Sequence, residues 1–269
     1  MAPATVLNQA AEELHQLHAR SSDLEPNHTQ TITLIVIGVY AVFIAISWNV
    51  WGLRHLIYPF KLLTVAFHEF SHAAVGCCTC ARIKSIELSP NEGGATTMKG
   101  GIDALTLPAG YLGSSLIGAL LIMCGFDTTA SKVASIVLGV AFLLTIWWAR
   151  RDWLTILVVL GAVALIVAFW FIAHAEPLRY LVLFIGVMSA LYSLFDISDD
   201  LIFRKVNESD ASVFAKRYGG SSICWGILWF FVSFAFLGLG IVAGLALFRN
   251  SEAEQKQSSK DFLPTRMFL

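Results

Sequence analysis

Long apolar runs separated by short polar links fill the chain from about residue 32 to residue 248. They fall at about 32–51, 55–76, 102–124, 133–148, 153–173, 177–200 and 222–248. Each has, or comes close to, the length at which a helix crosses a bilayer. The pattern predicts an all-α polytopic membrane protein, a bundle of about seven transmembrane helices. One stretch breaks it. Residues 77–101 are polar, and Ile83-Lys84-Ser85-Ile86-Glu87-Leu88 alternates with period two, as a half-buried strand does. Asn91-Glu92-Gly93-Gly94 supplies a turn and 95–99 a return strand, so a small β-hairpin is expected after the second helix.

Outside the apolar region, residues 1–30 form a polar segment with a short helix expected over 4–20. It lacks a basic stretch followed by an apolar core, so it does not read as a cleaved signal peptide. Residues 249–269 are polar and read as a disordered tail, leaving 31–248 as the transmembrane domain.

Composition agrees with a membrane protein: 57% of residues are hydrophobic and only 14% charged, against about 25% charged in soluble domains. Mean hydropathy is +0.69. A net charge of −1 gives no basic face for nucleic acid, so the lipid bilayer is the partner implied. Five cysteines make no disulfide framework. Cys77, Cys78 and Cys80 cluster beyond the second run, where they read either as small apolar filler or as juxtamembrane S-acylation sites. Seven crossings would put the two ends of the bundle on opposite sides, and the distribution of Lys and Arg then favours a cytosolic N-terminus.

The candidate chemistry sits in the second run. His68-Glu69-Phe70-Ser71-His72 reads H-E-x-x-H. Two histidines four apart share one face of a helix and can reach one Zn²⁺, while Glu69 is placed to act as general base on a water. Such residues are costly in a hydrocarbon-length helix and tend to be kept there for function. A catalytic zinc needs a third protein ligand. Asp196, Asp199 and Asp200, at the end of the sixth run, are the candidates, and Asp196 lies deepest in apolar sequence. Gly110, Ser114 and Gly118 recur every four residues in the third run and let another backbone approach closely.

With these motifs the chain resembles the site-2 protease family of intramembrane zinc metallopeptidases (peptidase family M-50, B-like subgroup). The resemblance rests on Phe67-His68-Glu69-Phe70-Ser71-His72-Ala73, on Gly93-Gly94, on Ala109-Gly110-Tyr111-Leu112-Gly113 and on Ser193-Leu194-Phe195-Asp196. It implies a membrane-embedded zinc site that cleaves transmembrane protein substrates, with Asp196 as third ligand and the Gly110/Ser114 stripe packed near the metal helix. Better-known members carry an Asp-Gly pair where Asp196 is followed here by Ile197. The competing expectation is an inactive relative that keeps the metal and scaffolds membrane clients.

Overall fold

The computed structural model describes residues 25–91, 93–203 and 209–262. The helix expected over 4–20 lies outside the described residues. The chain forms α1 (His28–Asn49), α2 (Arg54–Cys78), β1 (Arg82–Ser89), β2 (Gly93–Lys99), α3 (Asp103–Cys124), α4 (Thr128–Trp148) and α5 (Trp153–Phe171). A 3₁₀ turn (Ala173–Ala175) then leads to α6 (Glu176–Phe203), α7 (Asp210–Tyr218), α8 (Ser222–Leu247) and α9 (Glu252–Asp261). The all-α polytopic bundle and the hairpin are both present.

Six described helices are long and apolar enough to cross a membrane: α1, α3, α4, α5, α6 and α8. The seventh expected span, α2, is not among them. Its 25 residues include Arg54, His55, Lys61, His68, Glu69 and His72, and neighbouring helices cover much of it. Lys61, for example, is buried with its Nζ 3.7 Å from the centre of the Trp48 ring.

The face of the bundle opposite the hairpin gathers the start of α1, the end of α3 and the end of α8. There Gln30 donates to the carbonyls of Leu245 and Phe248, and Asn27 to that of Arg249. The other face gathers the end of α2, the hairpin base and the start of α3, tied by the Ile102 amide to Thr79 Oγ1 at 3.3 Å. Thus α1 starts on one face and α2 ends on the other. The start of α1 and the end of α8 lie on the same face, which removes the premise of opposite sides.

Helix α3 forms the middle of the bundle because its small residues admit other backbones. A Cβ on Gly118 would lie 2.7 Å from the amide nitrogen of Ala190 in α6. Substituting Gly240 of α8 would press as closely on the carbonyl of Ala119, at 2.5 Å. Around this axis lie the two largest apolar clusters of the described core, one centred on Leu63, Phe67, Phe142 and Val182, the other on Ile44, Ile57, Ile122 and Met188.

The hairpin pairs Ile86 with Thr96 and Leu88 with Gly94, and buries Ile86 and Leu88 on one side. It lies alongside α2. Near the base Thr96 bonds Glu69, and at the tip the Tyr58 hydroxyl donates to the carbonyl of Pro90 at 2.7 Å. Asp152, which caps α5, also accepts the amide of Leu88 at 2.9 Å.

Residues 252–262 are ordered, contrary to the disordered tail expected there. Ser251 and Glu254 form a capping box that starts α9. Buried Gln255 then donates to the carbonyl of Phe126 and accepts from Arg179. Lys132, fully buried, donates to the carbonyls of Ser259 and Phe262. A polar segment is held because it satisfies two cations inside the bundle end.

Candidate metal centre

Helix periodicity brings His68 and His72 onto one face of α2, with ring centres 4.8 Å apart. Their Nε2 atoms lie 3.1 Å from each other. The carboxylate that meets them is Asp210. Its Oδ2 stands 3.1 Å from Nε2 of His68 and 3.1 Å from Nε2 of His72. Among the described residues this is the group of three metal-competent side chains whose ligand atoms converge.

Asp196 is placed elsewhere. It lines the same pocket but accepts the Tyr111 hydroxyl at 3.2 Å, while Tyr111 sets its ring edge-on to His68. Asp199 is not part of the converging group, and the side chain of Asp200 lies outside the described residues. The physical reason is reach: α6 directs Asp196 toward Tyr111 on α3, whereas α7 aims its first turn at α2. Ser209 caps α7 through the amide of Ser212, and Ala211 and Phe214 anchor it against Tyr111, Ile197 and Trp229. Arg217 near its other end pairs with Asp103 at the start of α3. Burial acts to raise the Asp210 carboxyl, but the two imidazoles facing it, His72 foremost, outweigh that and hold it below the usual carboxylate range.

Three features decide whether this arrangement suits a metal. The Nδ1 of His72 lies 2.6 Å from the carbonyl of Thr106, which can only accept, so Nδ1 carries the proton and Nε2 turns its lone pair inward. Two imidazole nitrogens and a carboxylate oxygen packed this closely repel unless a proton or a cation sits among them. Second, three atoms 3.1 Å apart leave a point about 2.0–2.1 Å from each, the length of a Zn–N or Zn–O bond. Third, Gly110 leaves that space open: a Cβ there would stand 2.3 Å and 2.4 Å from the two Nε2 atoms. A Zn²⁺ fits this donor set.

Glu69 is 5% exposed and fixed by β2. Thr96 Oγ1 bonds its Oε2 at 2.7 Å and its backbone carbonyl at 2.9 Å, and a Cβ on Gly94 would lie 2.5 Å from Oε1. Gly94 of the hairpin therefore packs directly on the carboxylate. The pocket beside these groups has a volume of about 400 Å³ and is walled by Gly93–Thr96 of the hairpin, Thr106 and Leu107 of α3, and Tyr192 of α6.

Gly110 thus packs against the metal helix. Ser114 does not: it is buried against α6, with its Oγ 2.9 Å from Ser193 Oγ and donating to the carbonyl of Gly110. Asp210 is the residue that sequence reasoning missed. The available signal was a carboxylate four positions before Phe214, on the apolar face of a short amphipathic segment.

Comparison with curated proteins and comparison with solved structures each returned no match. The model of one family, described as Peptidase M50B-like, matches residues 37–240, which include α2, the hairpin, α3 and Asp210. This integral membrane chain, with its H-E-x-x-H helix beside a glycine-faced α3, belongs to the Peptidase M50B-like family.

Proposed function

We propose that the chain is an intramembrane zinc metalloprotease whose ligands are His68, His72 and Asp210. The observation that carries this reading is the convergence of those three side chains beside a clamped Glu69. A bound Zn²⁺ supplies a Lewis acid for the scissile carbonyl and brings the pKa of water to about 7. Glu69 takes the proton of the attacking water and returns it to the departing amide nitrogen. Thr96 holds Glu69 Oε2 beside the pocket. The Thr106 carbonyl fixes the tautomer of His72, and Gly110 keeps the ligand space clear.

Peptide bonds in a membrane helix are shielded by their own hydrogen bonds, so the substrate has to unwind at the cleavage point. Among the described residues the hairpin forms a two-stranded sheet in which β2 pairs with β1, and β2 also lines the pocket. Its other edge suits an extended segment of a transmembrane substrate by strand addition.

The orientation follows from charge. Arg82, Lys84, Lys99, Arg150, Arg151, Lys216 and Arg217 lie on the face that carries the site, whereas the opposite face has buried Lys132 and Arg179 and exposed Arg249, Lys256 and Lys260. The larger number on the site face supports, by the positive-inside tendency, a cytosolic site face. With α1 starting on the other face, the N-terminal end of the bundle is then non-cytosolic.

The test uses the purified full chain. Wild type should hold about one zinc and cleave transmembrane-helix reporter peptides, while Glu69→Gln should hold zinc and cleave none. Wild-type zinc without cleavage of any reporter would support the scaffold reading, and absence of zinc would overturn both.

A further inference from the structure

Cys77, Cys78, Cys80 and Cys224 are exposed free thiols, and all four lie on the face that carries the site. Cys77 and Cys78 end α2, Cys80 follows in a turn with φ 63°, and Cys224 is the third residue of α8. The fifth cysteine, Cys124, is half-buried at the other end of α3. Exposure rules out core filler for the cluster of three. These thiols also do not converge with other donors on a metal, since the converging group among the described residues is His68, His72 and Asp210.

The surroundings mark a lipid boundary. Ile102 and Leu105, 52% and 53% exposed, open α3. The bond from the Ile102 amide to Thr79 sets them beside the cysteine turn. Arg82, Lys84 and Lys99, in the hairpin strands beside the cysteine turn, are all exposed and of the kind that meets phospholipid headgroups. The three thiols therefore lie between exposed basic residues of the hairpin and the exposed apolar start of α3.

We propose that Cys77, Cys78 and Cys80 form an S-acylation site that takes long-chain fatty acyl groups from acyl-coenzyme A. The cysteine sulfur attacks the carbonyl carbon of the acyl thioester. A new S–C bond forms, the bond from that carbon to the coenzyme sulfur breaks, and the cysteine proton passes to the departing thiolate. No oxidant or reductant is involved. The inference rests on the cytosolic placement of the site face, where acyl-coenzyme A is present and thiols stay reduced. Acyl chains there would pin the end of α2 and the hairpin base to the interface by burying their methylenes among the lipid chains.

The experiment is hydroxylamine-dependent mass-tag exchange on the full chain expressed in a eukaryotic cell, alongside labelling with a membrane-impermeant maleimide. Wild type should gain one to three tags, Cys77→Ser/Cys78→Ser/Cys80→Ser none, and Cys224→Ser the wild-type number. Should the triple variant fail to accumulate, the three single serine variants read the same count, their losses together equalling the wild-type number. Absence of hydroxylamine-dependent tags on wild type, or an undiminished count in the cysteine variants, overturns the proposal. After hydroxylamine treatment, the maleimide separates its failure from failure of the orientation: cytosolic thiols react only once the membrane is opened. Zinc content of the same samples reports on the metal centre independently.

Discussion

Gly110 faces His72 so closely that a Cβ on the glycine would lie 2.4 Å from the ring Nε2. The same atom would lie 2.3 Å from Nε2 of His68. The position of a missing side chain thus coincides with the space that the two imidazoles enclose. Gly110→Ala must push the rings apart or move α3, at the roughly 1–3 kcal/mol typical of overpacking. Zinc affinity should fall about 10- to 100-fold while helix content stays unchanged. Metal analysis and circular dichroism on one preparation measure both, and undiminished zinc would show that the space is not the metal's.

Asp210 and Asp196 make opposite predictions. Asp210→Ala should reduce bound zinc by more than the roughly 10–100-fold that loss of an outer partner costs. Asp196→Asn keeps an acceptor for the Tyr111 hydroxyl and should lower affinity less than about tenfold, below that outer-partner range. Titration with a competing chelator ranks the two. The reverse ranking would restore the ligand assignment suggested by sequence resemblance.

Asp152 joins the hairpin to α5 and gives the fold a pH dependence. Burial acts to raise its carboxyl, but amides of Leu88, Thr155 and Leu154 and the Thr155 hydroxyl outweigh it and leave it below the usual carboxylate range. The folded value being depressed, its stabilisation is complete above the ordinary value of about 3.9 and is lost as pH falls through the lower folded value. Asp152→Ala removes a helix cap, a loss of about 1–2 kcal/mol at neutral pH. Thermal unfolding in detergent should show that deficit at pH 7 and a smaller one below about pH 3, where wild type has protonated as well. A deficit that is constant with pH would assign the effect to packing alone.

The docking of α9 hangs on Gln255, which meets Phe126 and Arg179. Gln255→Ala leaves the Phe126 carbonyl and the Nη1 of Arg179 buried without this partner, at about 1–3 kcal/mol, while Arg179 Nη2 keeps Thr33. Limited proteolysis should cut near residue 250 faster in the variant, with zinc retained, because α9 and the metal centre occupy opposite faces. Unchanged cleavage would mean that Lys132, bonded to Ser259 and Phe262, holds the helix by itself.

What the sequence made legible depended on how local the signal was. His68, Glu69 and His72 lie within a turn and a half of one helix, so periodicity alone defines their shared face. The hairpin was equally readable, since β1 alternates and Asn91 to Gly94 turns. Gly110 was marked by the small-residue stripe, but that stripe did not show which neighbour each member meets, and Ser114 turned out to face α6. Hydropathy counted α2 as a separate crossing because its apolar residues outnumber its ionisable ones, and only contacts with α3 and the hairpin reveal how it is enclosed. Asp210 stands among polar residues where a carboxylate ordinarily faces water, and burial against α2 and α3 is a property of the tertiary fold. For α9, the capping box was visible, but the buried Lys132 and Arg179 that need its polar atoms were far away in sequence.

The separation of the donors has a biosynthetic consequence. Asp210 lies 142 residues beyond His68, on a helix made only after α6. During synthesis, a nascent chain can display both histidines and Glu69 through most of its translation with the third donor still unmade. On the proposed function, proteolytic competence is therefore withheld until the bundle is nearly complete. A message truncated anywhere before α7 then yields a membrane protein that carries the H-E-x-x-H helix without its third donor.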